Sequence, residues 1–432
     1  MRRLETRYCL GLASHETFGS LGLGEPLLAA LADLGHEVPT AVQSLAIPAI
    51  AKGRDVRACA ETGSGKTAAF VLPILERLRT SRPGTRATGA VFALVLVPTR
   101  ELAAQVGDAV TAYARHLPER MKSCVVFGGV SENPQMMELR GGADIVVATP
   151  GRLLDLVERN AIRLGAVDML VLDEADRLLS LGFSDELERI RALVDKPQCL
   201  LFSATFPPSV RTLADSLLRD PLRIEIEPNK AFGDIDAAIS QRAIEVDHGK
   251  RTLLLRHLLA THEWPAVLVF VASRHAAEHV ADKLTRAKIA AAPFHGDLSQ
   301  GARTRSLADF KEGRIQVLVA TDVAGRGLDI VGLPAVVNYE LPRSAVDYLH
   351  RIGRTGRGSE TGVAVTFVTA DTEPHFRLIE KRHRLAIVRE RLPGFERTEV
   401  ATETRDPHGG VKGSRKSKKD KLREAAAAKA KE

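Results

Sequence analysis

The chain has 432 residues, 44% of them hydrophobic and 27% charged, and a formal net charge of +7. This fits a soluble globular protein long enough for two domains and a tail, and its longest apolar runs, such as residues 90–97, are too short to cross a bilayer. Four scattered cysteines (Cys9, Cys59, Cys124 and Cys199) form no CxxC pair, which argues against a disulfide framework or zinc site and for reduced thiols in a cytoplasmic protein.

Residues 1–15 are basic but carry Glu5 and no apolar core, so they read as an extension rather than a secretion signal. From there apolar runs alternate with amphipathic helical stretches, and no short repeat appears. AVFALVLV, DIVVATP, DMLVLDEAD and QCLLFSAT lie in the first half; AVLVFVAS, IQVLVATD, AVVNYEL and VAVTFVT lie in the second. Strands that are apolar on both faces and separated by helices predict mainly parallel sheets covered on both sides, here in two α/β domains. The pattern lapses in NKAFGDIDAAISQ, which divides the chain into a first domain over 16–228, a linker over 229–240 and a second domain over 241–392. Residues 393–432 are polar and are expected to form a disordered tail. Residues 411–432 hold nine Lys/Arg against three Asp/Glu, so most of the net charge sits there. Such a tail suits polyanions, and the plainer alternative is a solvated end with no specific role.

AETGSGKT, residues 60–67, follows the strand-like RDVRACA and opens a helical stretch. It fits GxxxxGK[ST] with Ala60 in place of the first glycine. Thr62, Gly63, Ser64 and Gly65 let the backbone wrap a phosphate chain, Lys66 reaches the β- and γ-phosphates, and Thr67 offers a hydroxyl to Mg²⁺. The plain alternative is a glycine-rich turn before a helix. The run MLVL drives straight into Asp173, Glu174 and Asp176. A buried strand must end polar where a site lies at its carboxyl end. Asp173 is therefore the Mg²⁺-side acid, and Glu174 is the candidate that deprotonates the attacking water. Helix-dipole stabilisation accounts for one such acid but hardly for three.

With these motifs in place the chain resembles the DEAD-box ATP-dependent RNA helicases of bacterial type. The likeness runs from about residue 18 to 392. PTRELAAQ (98–105), a glycine pair (Gly128, Gly129), TPGR (149–152), SAT (203–205), VFVASR (269–274), ATDVAGRGLDI (320–330) and HRIGRTGRG (350–358) follow in the family's order. The resemblance implies two tandem RecA-like P-loop domains, ATP with Mg²⁺, and RNA as the partner. It also implies that Ser203 and Thr205 couple hydrolysis to strand separation. Arg354 and Arg357 reach the γ-phosphate across the cleft, His350 contacts the first domain, and Asp329 lies on the ribose side. A basic loop touching RNA phosphates, with Arg351 involved, is the alternative for these arginines.

The adenine motif is altered. Gly35 is followed by His36 rather than by a larger aromatic, and the run is PTAVQ (39–43). Gln43 keeps a carboxamide that donates and accepts together, matching an adenine edge. Phe18 stands where the family has an isolated upstream aromatic, which the resemblance implies lies at the nucleotide. With aromatics at 4% of residues, base-stacking platforms are not expected. Instead Thr99, Arg100, Gly129, Thr149, Gly151, Arg152, Arg303 and Thr321 suit phosphates and 2′-hydroxyls, with little sequence preference. The expected activity is RNA-stimulated ATP hydrolysis that opens short duplexes. An ATP-gated RNA clamp or scaffold uses the same motifs, and a DNA translocase is a third reading. Ribosomal-precursor or RNA-turnover proteins in the cytoplasm are the expected company, with no membrane.

Overall fold

The computed structural model describes residues 17–60, 63–80, 90–226, 239–325, 330, 332–356 and 361–400. Among them, two parallel seven-stranded sheets organise the two halves. The first contains β1 (Val56–Cys59), β2 (Val91–Leu96), β3 (Ser123–Val126), β4 (Ala143–Ala148), β5 (Met169–Leu172), β6 (Gln198–Ser203) and β7 (Leu222–Glu225), in the spatial order β3-β4-β2-β5-β6-β1-β7. The second contains β8 (Ile239–Glu245), β9 (Val267–Val271), β10 (Ala291–Phe294), β11 (Val317–Thr321), β12 (Ala335–Asn338), β13 (Gly362–Val368) and β14 (Arg389–Glu390), ordered β10-β11-β9-β12-β13-β8-β14.

The apolar runs form the middle of each sheet because helices cover both faces. Ala93, Val95, Met169 and Val171 enter one core layer, whereas Leu94, Leu96, Leu170 and Leu172 enter the opposite one. The second sheet alternates likewise, with Val267, Val269 and Val271 on one side and Leu268 and Phe270 on the other. All eight quoted runs become strands. β3, β7, β10 and β14 are edge strands with less apolar surface to bury, and their sequences did not separate them from the surrounding polar chain.

Parallel pairing aims every strand's carboxyl end the same way. Because β5, β6 and β1 are neighbours, the turns after them converge, and these turns carry the DEAD, SAT and GKT motifs. Among the described residues no helix is long and apolar enough to cross a membrane.

Two expected boundaries shift. β8 begins at Ile239, inside the stretch assigned to the linker. Residues 393–400, assigned to the disordered tail, are docked on the second domain. Phe395 packs against that domain's core, and the amides of Thr398 and Glu399 donate to Asp247 Oδ1 at 2.8 and 2.9 Å. Their polar composition concealed this because the partners, Asp247 and Glu245 among them, lie far back in the chain. Residues 1–16, 227–238 and 401–432 lie outside the described residues, so the extension, most of the linker and the basic tail do too.

Candidate active site

The phosphate loop leaves β1 at Ala60, whose methyl belongs to the core and whose carbonyl accepts from Lys66 Nζ at 2.8 Å. That burial explains why alanine serves where the pattern has glycine. Gly65 has φ +89, and a Cβ there would collide with the Gln43 carboxamide. Glycine is therefore required both for conformation and for space. Lys66 opens the helix Lys66–Thr80 and is buried, and Thr67 follows it. Thr62 lies outside the described residues.

Gln43 does more than face a base. Its Oε1 accepts from the Thr40 amide at 2.8 Å, within a capping box that starts the helix Ala41–Ala51. Its Nε2 donates to the Gly65 carbonyl at 3.1 Å. The carboxamide thus fastens the upstream motif to the phosphate loop, and each end keeps one further hydrogen-bonding position. Phe18, expected at the nucleotide, is 5% exposed within the first domain's core, so its ring supports the fold there. His36 is exposed, with Nε2 3.4 Å from the Tyr113 hydroxyl, a neighbour that sequence spacing gave no sign of.

β5 delivers the acids. Asp173 is 3% exposed and accepts the Glu174 amide at 2.9 Å. Burial raises its carboxyl to about 7, although the Lys66 ammonium pulls the other way. A carboxylate held there gains from additional positive charge. With the Thr67 hydroxyl it makes an oxygen donor set of the kind hard divalent cations take, so these two residues fit Mg²⁺. Glu174 has φ 50 and ψ 52, a left-handed conformation that costs a residue with a side chain about 1–2 kcal/mol. Burial pushes its carboxyl up, but the charges of Arg177, Lys66, Arg354 and His350 outweigh that and hold it below the usual range. Arg354 and His350 belong to the second domain, so both halves act on one carboxylate.

Asp176, the third acid, is committed to β6. Its Oδ2 accepts from the Thr205 hydroxyl at 2.6 Å and the Thr205 amide at 3.0 Å, and its own amide donates to Ser203 Oγ at 3.1 Å. The two expected coupling residues therefore touch the acid run directly.

On the second domain, Arg351 is fully buried. Its guanidinium grips Asp322 at 2.6 and 2.8 Å, donates to the Glu340 carbonyl at 2.6 Å and lies over the Phe270 ring. It fastens the helix Ala345–Ile352 from within the second domain, where solvent does not reach it. Arg357 and Asp329 lie outside the described residues.

The expected RNA residues of the first domain gather at the carboxyl ends of β2, β3 and β4. Thr99 caps the helix Arg100–Ala114, accepting the Leu102 amide at 3.3 Å. Arg100 lies so close over Gly129, at φ +78, that a Cβ there would strike its guanidinium. Thr149 and Gly151 start the helix Pro150–Glu158, and Arg152 donates to the Val130 carbonyl at 2.8 Å. On the second domain Thr321 ends β11. Arg303 departs from the expectation. It is 5% exposed, stacked over Phe294 and paired with Glu101 of the first domain at 2.6 Å. Its charge is spent between the domains rather than offered to phosphate.

A phosphate loop and acids at the carboxyl ends of one parallel sheet, with a second parallel sheet of matching order, define a tandem RecA-like P-loop protein. The chain belongs to the DEAD-box ATP-dependent RNA helicase family. Residues 40–213 match the DEAD/DEAH box helicase domain and residues 249–359 the helicase conserved C-terminal domain. It is 41% identical over 387 residues to the ATP-dependent RNA helicase DeaD of Mycobacterium tuberculosis, covering 89% of this chain and 66% of that protein. It is 39% identical over 368 residues to the DEAD-box ATP-dependent RNA helicase CshA of Bacillus cereus, covering 84% of this chain and 68% of that one. The chain thus spans about two thirds of these relatives' length. Among solved structures it resembles Dbp5 of S. cerevisiae bound to RNA and ADP BeF3, with a TM-score of 0.76 and 31% identity over 87% of this chain and 95% of that one.

Proposed function

We propose that this protein is an RNA-stimulated ATPase that opens short RNA duplexes, with ATP held at the seam between its two domains. The observation that carries the reading is that the halves meet through a dry ion pair, Arg303 of the second domain on Glu101 of the first at 2.6 Å, while the charges of Arg354 and His350 help to hold the Glu174 carboxyl low. The active centre is complete only when the halves meet, which ties hydrolysis to closure. RNA spanning the two domains favours that closure, and so favours turnover.

Within the closed site, Lys66 holds the β- and γ-phosphates and Gln43 the adenine edge. Glu174 accepts a proton from the attacking water, and Arg354 with Arg357 meets the charge that grows on the γ-phosphoryl group. An arginine in that role contributes about 10³ to 10⁵ in rate. Thr67 and Asp173 would hold Mg²⁺, which when bound neutralises phosphate charge. RNA lies against Thr99, Arg100, Gly129, Thr149, Gly151, Arg152 and Thr321, contacted through its backbone, so little sequence preference follows. Arg303 serves closure. The proposal extends to the cytoplasm as the setting and to ribosomal-precursor or RNA-turnover assemblies as company, which crosslinking in cells followed by sequencing of bound RNA tests.

Strand displacement on a short RNA duplex, with ATP and with a non-hydrolysable analogue, tests the reading. Displacement with ATP, together with collapse of RNA-stimulated hydrolysis in R354A/R357A, is the expected result. Tight ATP-dependent RNA retention without displacement would establish the clamp instead. Full hydrolysis in the double variant would remove the shared site altogether.

A further inference from the structure

Arg177 stands three residues after Glu174, on the short helix Ala175–Ser180, and only 5% of its side chain is exposed. Its Nη1 donates to Glu174 Oε2 at 3.1 Å. Glu174 occupies the N-cap position of that helix but makes no capping bond with its side chain, and its backbone is left-handed. Among the described residues Oε1 accepts no hydrogen bond. One carboxylate oxygen is therefore fixed from the first-domain side while the other is left for something else.

A buried ion pair of this kind is a poor source of stability, because taking both charges out of water offsets most of their attraction. A pair of apolar side chains would fill the same volume at no such cost. Nor is this a resting contact that closure must break, since Arg354 and His350 already act on the same carboxylate. Cations of both domains thus favour the charged carboxylate, and among the described residues Arg177 is the one that holds it by a side-chain hydrogen bond.

We propose that Arg177 is a positioning residue for hydrolysis: by holding Oε2 it fixes the carboxylate plane and makes Oε1 the oxygen that meets the attacking water. In that step a water O–H bond breaks and its proton goes to Oε1. The water oxygen bonds to the γ-phosphorus, the bond from that phosphorus to the bridging oxygen breaks, and ADP leaves with the electron pair. Oε1 then returns its proton to the products. The inference rests on Glu174 being the base of the proposed ATPase.

The test is RNA-saturated steady-state ATP hydrolysis by the full chain carrying R177M, R177K or E174Q, with a thermal melt of each. A carboxylate free to swing from its in-line position loses up to about 10²-fold in rate. The expected result is a kcat in R177M reduced by about 10- to 10²-fold with KM for ATP within about twofold of wild type, and most of the kcat restored in R177K. Full kcat in R177M would overturn the inference, as would equal loss in R177M and R177K accompanied by a lower melting temperature and a higher KM. If R177M does not fold, R177L, which also removes the donor toward Oε2 and keeps an apolar stem, takes its place under the same criteria. Normal turnover by E174Q would sink the assignment of the base itself; an inactive E174Q beside a fully active R177M would sink only the role of Arg177.

Discussion

Arg303 and Glu101 meet across the seam, a guanidinium nitrogen of the second-domain residue lying 2.6 Å from a carboxylate oxygen of the first, with each side chain 6% exposed. Burial pulls the guanidinium below its usual range and Glu101 pulls it back up. The pair therefore has its full strength only where it is dry, which is where the domains touch.

Removing one partner should penalise closure rather than folding, because separating the domains returns the orphaned charge to water. Stranding one member of a buried pair costs about 3–5 kcal/mol. We expect R303M and E101Q each to lower RNA affinity by about 10²-fold or more in the presence of a non-hydrolysable ATP analogue. Melting temperature should hardly move, and E101Q/R303M should recover part of the loss. Fluorescence anisotropy of labelled RNA measures this, and undiminished binding by both single variants would refute it.

The Thr205 hydroxyl and Asp176 are joined by a charge-assisted bond of 2.6 Å. Such bonds contribute about 1.5–3 kcal/mol. T205V keeps the side chain's shape and removes the donor. Strand displacement should fall several-fold while RNA-stimulated ATP hydrolysis persists, since neither Glu174 nor Lys66 is touched. Parallel loss of both activities would mean that the SAT turn belongs to the hydrolysis machinery itself.

Gln43 links the Thr40 amide to the Gly65 carbonyl, so Q43A removes a helix-capping contact and a restraint on the phosphate loop together. We expect the fold to survive a loss of about 1 kcal/mol from the cap. KM for ATP should rise about tenfold, equivalent to about 1.4 kcal/mol, and discrimination against GTP should fall. Competition assays with the four nucleotides decide, and unchanged selectivity would separate Gln43 from the base.

Asp247 holds the docked segment at residues 398–399. The Glu399 amide, then the hydroxyl and amide of Thr398, lower its carboxyl from an ordinary 3.8 to about 2. A depressed folded-state value means that the contact is fully present above the ordinary value and is lost as pH falls toward 2. The protection factors of the Thr398 and Glu399 amides, each rate taken against its intrinsic rate at that pH, should therefore be high at neutral pH and give way to fast, unprotected exchange between about pH 4 and 2. D247N should show the fast behaviour already at neutral pH, with earlier tryptic cleavage after Arg397. Equal protection in D247N would show that Phe395 and Arg397 hold the segment without it.

How much was legible in advance followed from how local each feature is. The phosphate loop needs glycines, a lysine and a threonine in one contiguous turn between a strand and a helix, and Asp173 needs only a greasy strand that ends in acid. Both are written in a few consecutive residues. The i, i+3 spacing of Glu174 and Arg177 could likewise be read as a pair, but spacing alone does not say that the pair is buried. Phe18 shows the converse. Its place ahead of Gly35 matches the family's upstream aromatic, but no spacing says that the ring is buried in the first domain's core.

The amino-acid order alone determined the two parallel sheets, the phosphate-loop motif and the family, because those depend on hydrophobic period and on short motifs whose backbone geometry is nearly self-contained. Only the tertiary structure decided which charges are spent on other charges. Arg303 on Glu101, Arg351 on Asp322 and residues 398–399 on Asp247 are partnerships between distant parts of the chain. A polar residue looks the same in sequence whether it meets water, a ligand or another side chain; its partner is chosen when folding removes the water.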